Sequence, residues 1–80
     1  MMKLLVRNLS RATTEHEIRS LFSEYGSVAE CTLVLDQETG QSKGFAFVEM
    51  ADENEAKNAV NSLNMTSVAK SKIRVKIAQD

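Results

Sequence analysis

An 80-residue chain with 42% hydrophobic and 26% charged residues can form one small domain that buries roughly 60% of its unfolded surface, and it is too apolar to stay disordered. A net charge of −1, a single cysteine and the lack of any apolar run near ~18 residues exclude a bulk polycation, an internal disulfide and a membrane-crossing helix. The opening MMKLLVRNLS has neither the apolar core nor the cleavage site of a signal peptide, so a reducing cytoplasmic setting is the expected one.

Along the chain, KLLVRN (3–8) reads as a strand, with Lys3, Leu5 and Arg7 on one side and Leu4 and Val6 on the other. Thr14-Glu15-His16-Glu17 has the form of a capping box. Behind it Ile18, Leu21, Phe22 and Tyr25 fall at i, i+3, i+4 and i+7 as the apolar stripe of a helix, and Gly26 is expected to stop that helix in a left-handed conformation. VAECTLVL (28–35) reads as a second strand with Cys31 turned inward and Thr32 and Val34 outward. DQETGQSKG follows as a polar loop in which Gly40 and Gly44 suit positive φ, and it leads into a third strand, GFAFVEM. A second helix opens at Asp52 with Glu55 at N3 and stripes Ala56, Ala59, Val60 and Leu63. Its acids Glu53 and Glu55 are expected to cap it and complement its dipole. KIRVKIA (72–78) closes the chain as a strand alternating Ile73, Val75 and Ile77 against Arg74, Lys76 and Ala78.

The order βαββαβ predicts a single domain, 1–80, of the α+β class: a two-layer ferredoxin-like sandwich with a four-stranded antiparallel sheet and two helices on one face. Two helices with one apolar face each can cover one side of such a sheet. The other side stays bare, and function is expected there.

The third strand decides what that bare face carries. Phe45 and Phe47 share a side with Lys43 and Glu49, while Ala46, Val48 and Met50 share the other. Burying the phenylalanine side would place a lysine and a glutamate in or beside the core, at several kcal/mol each in desolvation. The alternative buries Ala46, Val48 and Met50 at no such cost, so the two rings are expected to face outward. The same alternation adds Lys3, Leu5 and Arg7 from the first strand, Thr32 and Val34 from the second, and Arg74 and Lys76 from the last. Five cations then surround an aromatic pair against one acid, Glu49. Exposed rings stack on bases and cations hold phosphates, which suits single-stranded nucleic acid.

KGFAFVEM (43–50) resembles the ribonucleoprotein octamer of the RNA recognition motif family, and LLVRNL (4–9) resembles its first-strand hexamer. By that resemblance Phe45 and Phe47 sit at the octamer's two stacking positions, and Lys43 where a phosphate is commonly met. Leu5 stands where the family usually places a third aromatic, Met50 replaces an inward aromatic, and Met65 and Lys70 fall where glycines are common. A chain with so little flanking sequence is similar to small single-domain bacterial members, and a domain excised from a larger protein would look the same.

The expected function is therefore binding of a short single-stranded RNA. Phe45 and Phe47 stack on bases or a ribose, Lys43, Arg7, Arg74 and Lys76 meet phosphates or base edges, Leu5 and Val34 add apolar contact, and Lys3 is peripheral. Single-stranded DNA is a second candidate ligand, and a protein-interaction module of the same fold is the alternative function. A monomer without cofactor or metal is expected, since one cysteine and one histidine offer no ligand spacing. An enzyme is not expected: a phosphate-cradling loop after the first strand would need glycine, and NLSRATTEH supplies Arg11 but none.

Overall fold

KLLVRN, with Leu4 and Val6 turned into the core, is one of the two inner strands of the sheet. In the computed structural model, which describes residues 1–78, β1 (Met2–Arg7) pairs antiparallel with β3 (Ser42–Met50) on one flank and β6 (Arg74–Ile77) on the other. β2 (Val28–Leu35) pairs with β3, so the order across the sheet is β2-β3-β1-β6. Gln79 and Asp80, the end of the expected domain, lie outside the described residues.

Two helices, α1 (Glu15–Ser23) and α2 (Glu53–Leu63), cover one side. Ile18, Phe22, Ala56, Ala59 and Leu63 pack there against Leu4, Val6, Cys31, Ala46, Val48, Met50 and Val75. The fold is the two-layer ferredoxin-like sandwich that the element order predicts. α1 opens on its capping box: the Glu17 N–H donates to Thr14 Oγ1 at 3.2 Å, and the Thr14 N–H donates to Glu17 Oε1 at 2.8 Å. Such a cap stabilises a helix by about 1 kcal/mol.

The end of α1 corrects the expectation at Gly26. Its φ is not positive, and the helix stops with Glu24 still right-handed. Glycine is needed there for space: the Glu55 side chain packs where a Cβ on Gly26 would stand, its Cδ 2.6 Å from that point. Glu55 Oε1 also accepts the Ser27 N–H at 3.3 Å. Asp52 alone caps α2, through the Glu55 N–H at 3.0 Å, while the Glu55 carboxylate ties α2 to the start of β2.

The last strand is shorter than 72–78. Lys72 belongs to a small hairpin, β4 (Ser67–Val68) with β5 (Ser71–Lys72). Ile73 bonds to the linker instead of the sheet, donating to the Thr66 carbonyl at 2.9 Å and accepting from the Met65 N–H at 2.8 Å. Asn64 Oδ1 takes the Val75 N–H at 3.0 Å, so a side chain satisfies that position of β6. Lys72 and Ala78 thus flank the strand, although the Ala78 N–H still reaches the Lys3 carbonyl at 2.7 Å.

Candidate nucleic-acid interface

The uncovered side of the sheet is built by alternation, one residue away from the core at every step. Ala46, Val48 and Met50 are fully buried, and Phe45, Phe47 and Glu49 between them are half-buried on the open side. Gly44 makes the start of this strand workable. Its φ of +86° and a shift in the β2–β3 register between Leu33 and Leu35 carry the chain past Lys43. The Gly44 carbonyl then accepts the Leu9 N–H at 2.9 Å, fixing the exit of β1 against β3.

Register arranges the open face in rows. Leu5 stands between Phe47 and Lys76, with Thr32 on the far side of Phe47. One row on, Arg7 pairs with Arg74, and Arg7 borders a concavity with Phe45 and Lys43. One row back, Lys3 is level with Glu49 and Glu49 with Glu30. Arg7, Lys43, Arg74 and Lys76 are exposed, whereas Leu5, Val34 and Lys3 are half-buried. All nine residues expected from the sequence therefore share one face or its rim. Val34 is the loosest member, at the irregular stretch of β2.

The aromatic pair has a definite geometry. The ring centroids of Phe45 and Phe47 are 6.2 Å apart at 87°, edge to face. The Lys3 ammonium lies 4.8 Å from the Phe47 centroid, over the ring. Lys3 therefore sits on the platform and not at its periphery, within cation–π range. A base reaching that ring would share it with this cation or displace it.

The cations are largely unneutralised. Among the described residues one ion pair forms, Lys57 with Glu53 at 3.4 Å on exposed α2, away from the sheet face. Arg7, Lys43, Arg74 and Lys76 thus have no carboxylate of the described residues within 4.0 Å. The nearest acid to Lys43 is otherwise engaged. Asp36 Oδ1 accepts the backbone N–H groups of Glu38 and Thr39 at 2.8 and 3.2 Å, and these bonds, helped by Lys43 and Arg11, hold its carboxyl below its ordinary range.

Two residues of the surface escape the strand-by-strand reading. Glu30 has the same parity as Thr32 and stands directly across from Glu49, so the face carries two carboxylates at one end. Alternation alone could have found it. Arg11 lies in the loop after β1, where no periodicity applies, and it shares the concavity with Arg7, Lys43 and Phe45.

Residues 4–74 match the family model of the RNA recognition motif. The chain is 36% identical over 78 residues to the mitochondrial glycine-rich RNA-binding protein 4 of Arabidopsis thaliana, covering 98% of this chain and 57% of that protein. It superposes on the crystal structure of RNA binding protein PG1 with a TM-score of 0.97 at 38% identity, covering all of this chain and 96% of that one. A Sex-lethal protein/RNA complex matches with a TM-score of 0.90 at 31% identity, over 95% of this chain and 47% of that one. The chain spans between about a fifth and just over half of the curated relatives it matches.

Proposed function

The chain belongs to the RNA recognition motif family, and from that premise we propose that it binds a short single-stranded RNA, about two to four nucleotides, across the open face of its sheet. The family works by binding, not catalysis. One observation carries the reading: two phenylalanines stand half-buried on the uncovered face, ringed by cations that no carboxylate of the described residues pairs. In this reading Phe45 and Phe47 stack on successive bases or a ribose, and Leu5 and Val34 widen the apolar floor. Lys43, Arg7, Arg74 and Lys76 hold phosphates or base edges, and Lys3 adds charge beside Phe47. RNA-bound structures among the similar folds support the choice of ligand.

Affinity is expected to be modest, because stacking is worth roughly 1–3 kcal/mol per base and Leu5 supplies no ring. Binding should also weaken with salt, by about 0.7 log units per tenfold salt for each phosphate neutralised. The test is an NMR titration of labelled protein with a degenerate short RNA pool, repeated for Phe45→Ala/Phe47→Ala. Amide shifts on β1 and β3 with loss of most affinity in the variant are expected. Shifts confined to the helices, or equal binding by the variant, would overturn the sheet reading and favour a protein-interaction module. Competition with DNA of the same base composition measures any preference for the 2′-hydroxyl.

A further inference from the structure

Charge on the open face is divided lengthwise. Glu30 and Glu49 oppose each other at one end, with Lys3 as the one cation in their row, while Lys76, Arg74, Arg7, Lys43 and Arg11 collect toward the other. There the surface is not flat. Arg7 and Asn8 wall one concavity with Arg74, Lys76 and Asn64, of about 550 Å³, and a second with Arg11, Lys43 and Phe45. The two adjoin at Arg7 and Asn8, an interrupted trough lined by cations from the β6 edge, past the end of β1, to the loop before α1.

We infer that this trough carries the RNA backbone beyond the two stacked bases, and that Arg11 holds its outermost phosphate. The inference rests on the RNA-binding reading above and extends the site off the sheet onto the β1–α1 loop. Three observations support it. First, the loop is held in place: the Leu9 N–H donates to the Gly44 carbonyl at 2.9 Å, the Thr13 N–H to the Ser10 carbonyl at 3.0 Å, and Thr13 is 4% exposed. Arg11 sits at the tip of that turn, exposed, so little loop ordering opposes binding. Second, Arg11 has no carboxylate of the described residues within ion-pair distance, and the acid sharing its rim, Asp36, is committed to its own loop's N–H groups. Third, the opposed glutamates make the other end repel phosphates, which leaves the trough as the favourable exit.

In this inference the single linking phosphate of a dinucleotide stacked on both rings lies between the rings, and only a longer RNA such as an octanucleotide supplies the further phosphate that Arg11 holds. Affinities of degenerate-sequence dinucleotide and octanucleotide RNAs should be compared in wild type, Arg11→Gln and Arg11→Lys across a range of salt, with Phe45→Ala/Phe47→Ala alongside. In R11Q the octanucleotide should weaken about fivefold near 0.1 M salt and lose about 0.7 from its log–log salt slope, with the dinucleotide unchanged. R11K should retain the wild-type slope, because the contact is to charge. An unchanged octanucleotide slope in R11Q, or an equal loss for both lengths, overturns the role of Arg11 while leaving the sheet site standing. Insensitivity to the phenylalanine variant instead removes the sheet site itself, and this inference with it.

Discussion

Leu4 and Leu5 are neighbours of one residue type on one strand, and they do opposite work. Leu4 is fully buried between the sheet and its helices; Leu5 is half-buried on the open side, between Phe47 and Lys76. The same split runs through Val6 and Arg7, and through Ala46 and the phenylalanines on either side. The covered face resolves its chemistry internally, with apolar side chains removed from water. The open face leaves its two rings half-exposed and several cations without a carboxylate partner among the described residues. One side of the sheet stabilises the fold and the other holds surface in reserve for a ligand.

That contrast is broken most forcefully by truncating each leucine in turn. Leu4→Ala should cost about 2–5 kcal/mol of stability, from lost burial plus a cavity in a core this small. Leu5→Ala, one residue on, should cost under about 1 kcal/mol and appear chiefly as weaker RNA binding. Urea denaturation of both variants measures the difference, and equal losses would mean that the open face is core after all.

A gain of function sharpens the same contrast. Leu5→Phe would place a third ring beside Phe47, in the row that ends at Lys76. Its affinity for a degenerate RNA pool should rise about fivefold, roughly 1 kcal/mol at the low end of base–aromatic stacking, with little change in stability. An unchanged affinity would show that the Phe45–Phe47 pair, edge to face under the Lys3 ammonium, does not present a surface that another ring can extend.

How much of this was legible depended on periodicity. A strand shows its two faces every second residue, so Phe45, Phe47 and the cations could be placed outward as soon as burying Lys43 and Glu49 was seen to be costly. Glu30 obeys the same rule, since alternation along β2 gives it the parity of Thr32. Contacts that join distant segments left no such trace. Nothing in the sequence around Gly26 says that Glu55, 29 positions later, will occupy the space of its missing side chain. The Arg11 concavity and the Lys3–Phe47 contact likewise arise from a loop and a rotamer, which no repeat encodes. The last strand departs from its alternating pattern for a related reason, since Asn64 and the β4–β5 hairpin compete locally for backbone groups that the pattern assigns to the sheet.

The two long connections extend the contrast to the backbone. From the β2–β3 loop into the start of β3, the positive φ angles of +76° and +86° fall on Gly40 and Gly44. Between α2 and β6, angles of +71°, +51° and +69° fall on Met65, Ala69 and Lys70, each of which has a Cβ. Ala69 and Lys70 are the central pair of the β4–β5 turn, where a tight hairpin requires positive φ at both positions. A side chain in that conformation costs about 1–2 kcal/mol, and glycine removes the clash while adding roughly 0.5–1 kcal/mol of backbone entropy to be lost on folding. Lys70→Gly should therefore stabilise the domain by about 0.5–1 kcal/mol, seen as a higher urea midpoint at constant m-value. Gly40→Ala should do the reverse: the space beside Gly40 is open, so its φ alone sets the penalty. Lys70 is exposed and lies on neither face of the four-stranded sheet, so RNA affinity should not move with it. A stability gain accompanied by lost affinity would mean that this linker takes part in binding, through the Lys70 charge if Lys70→Gln loses as much and through its strained backbone if Lys70→Gln does not.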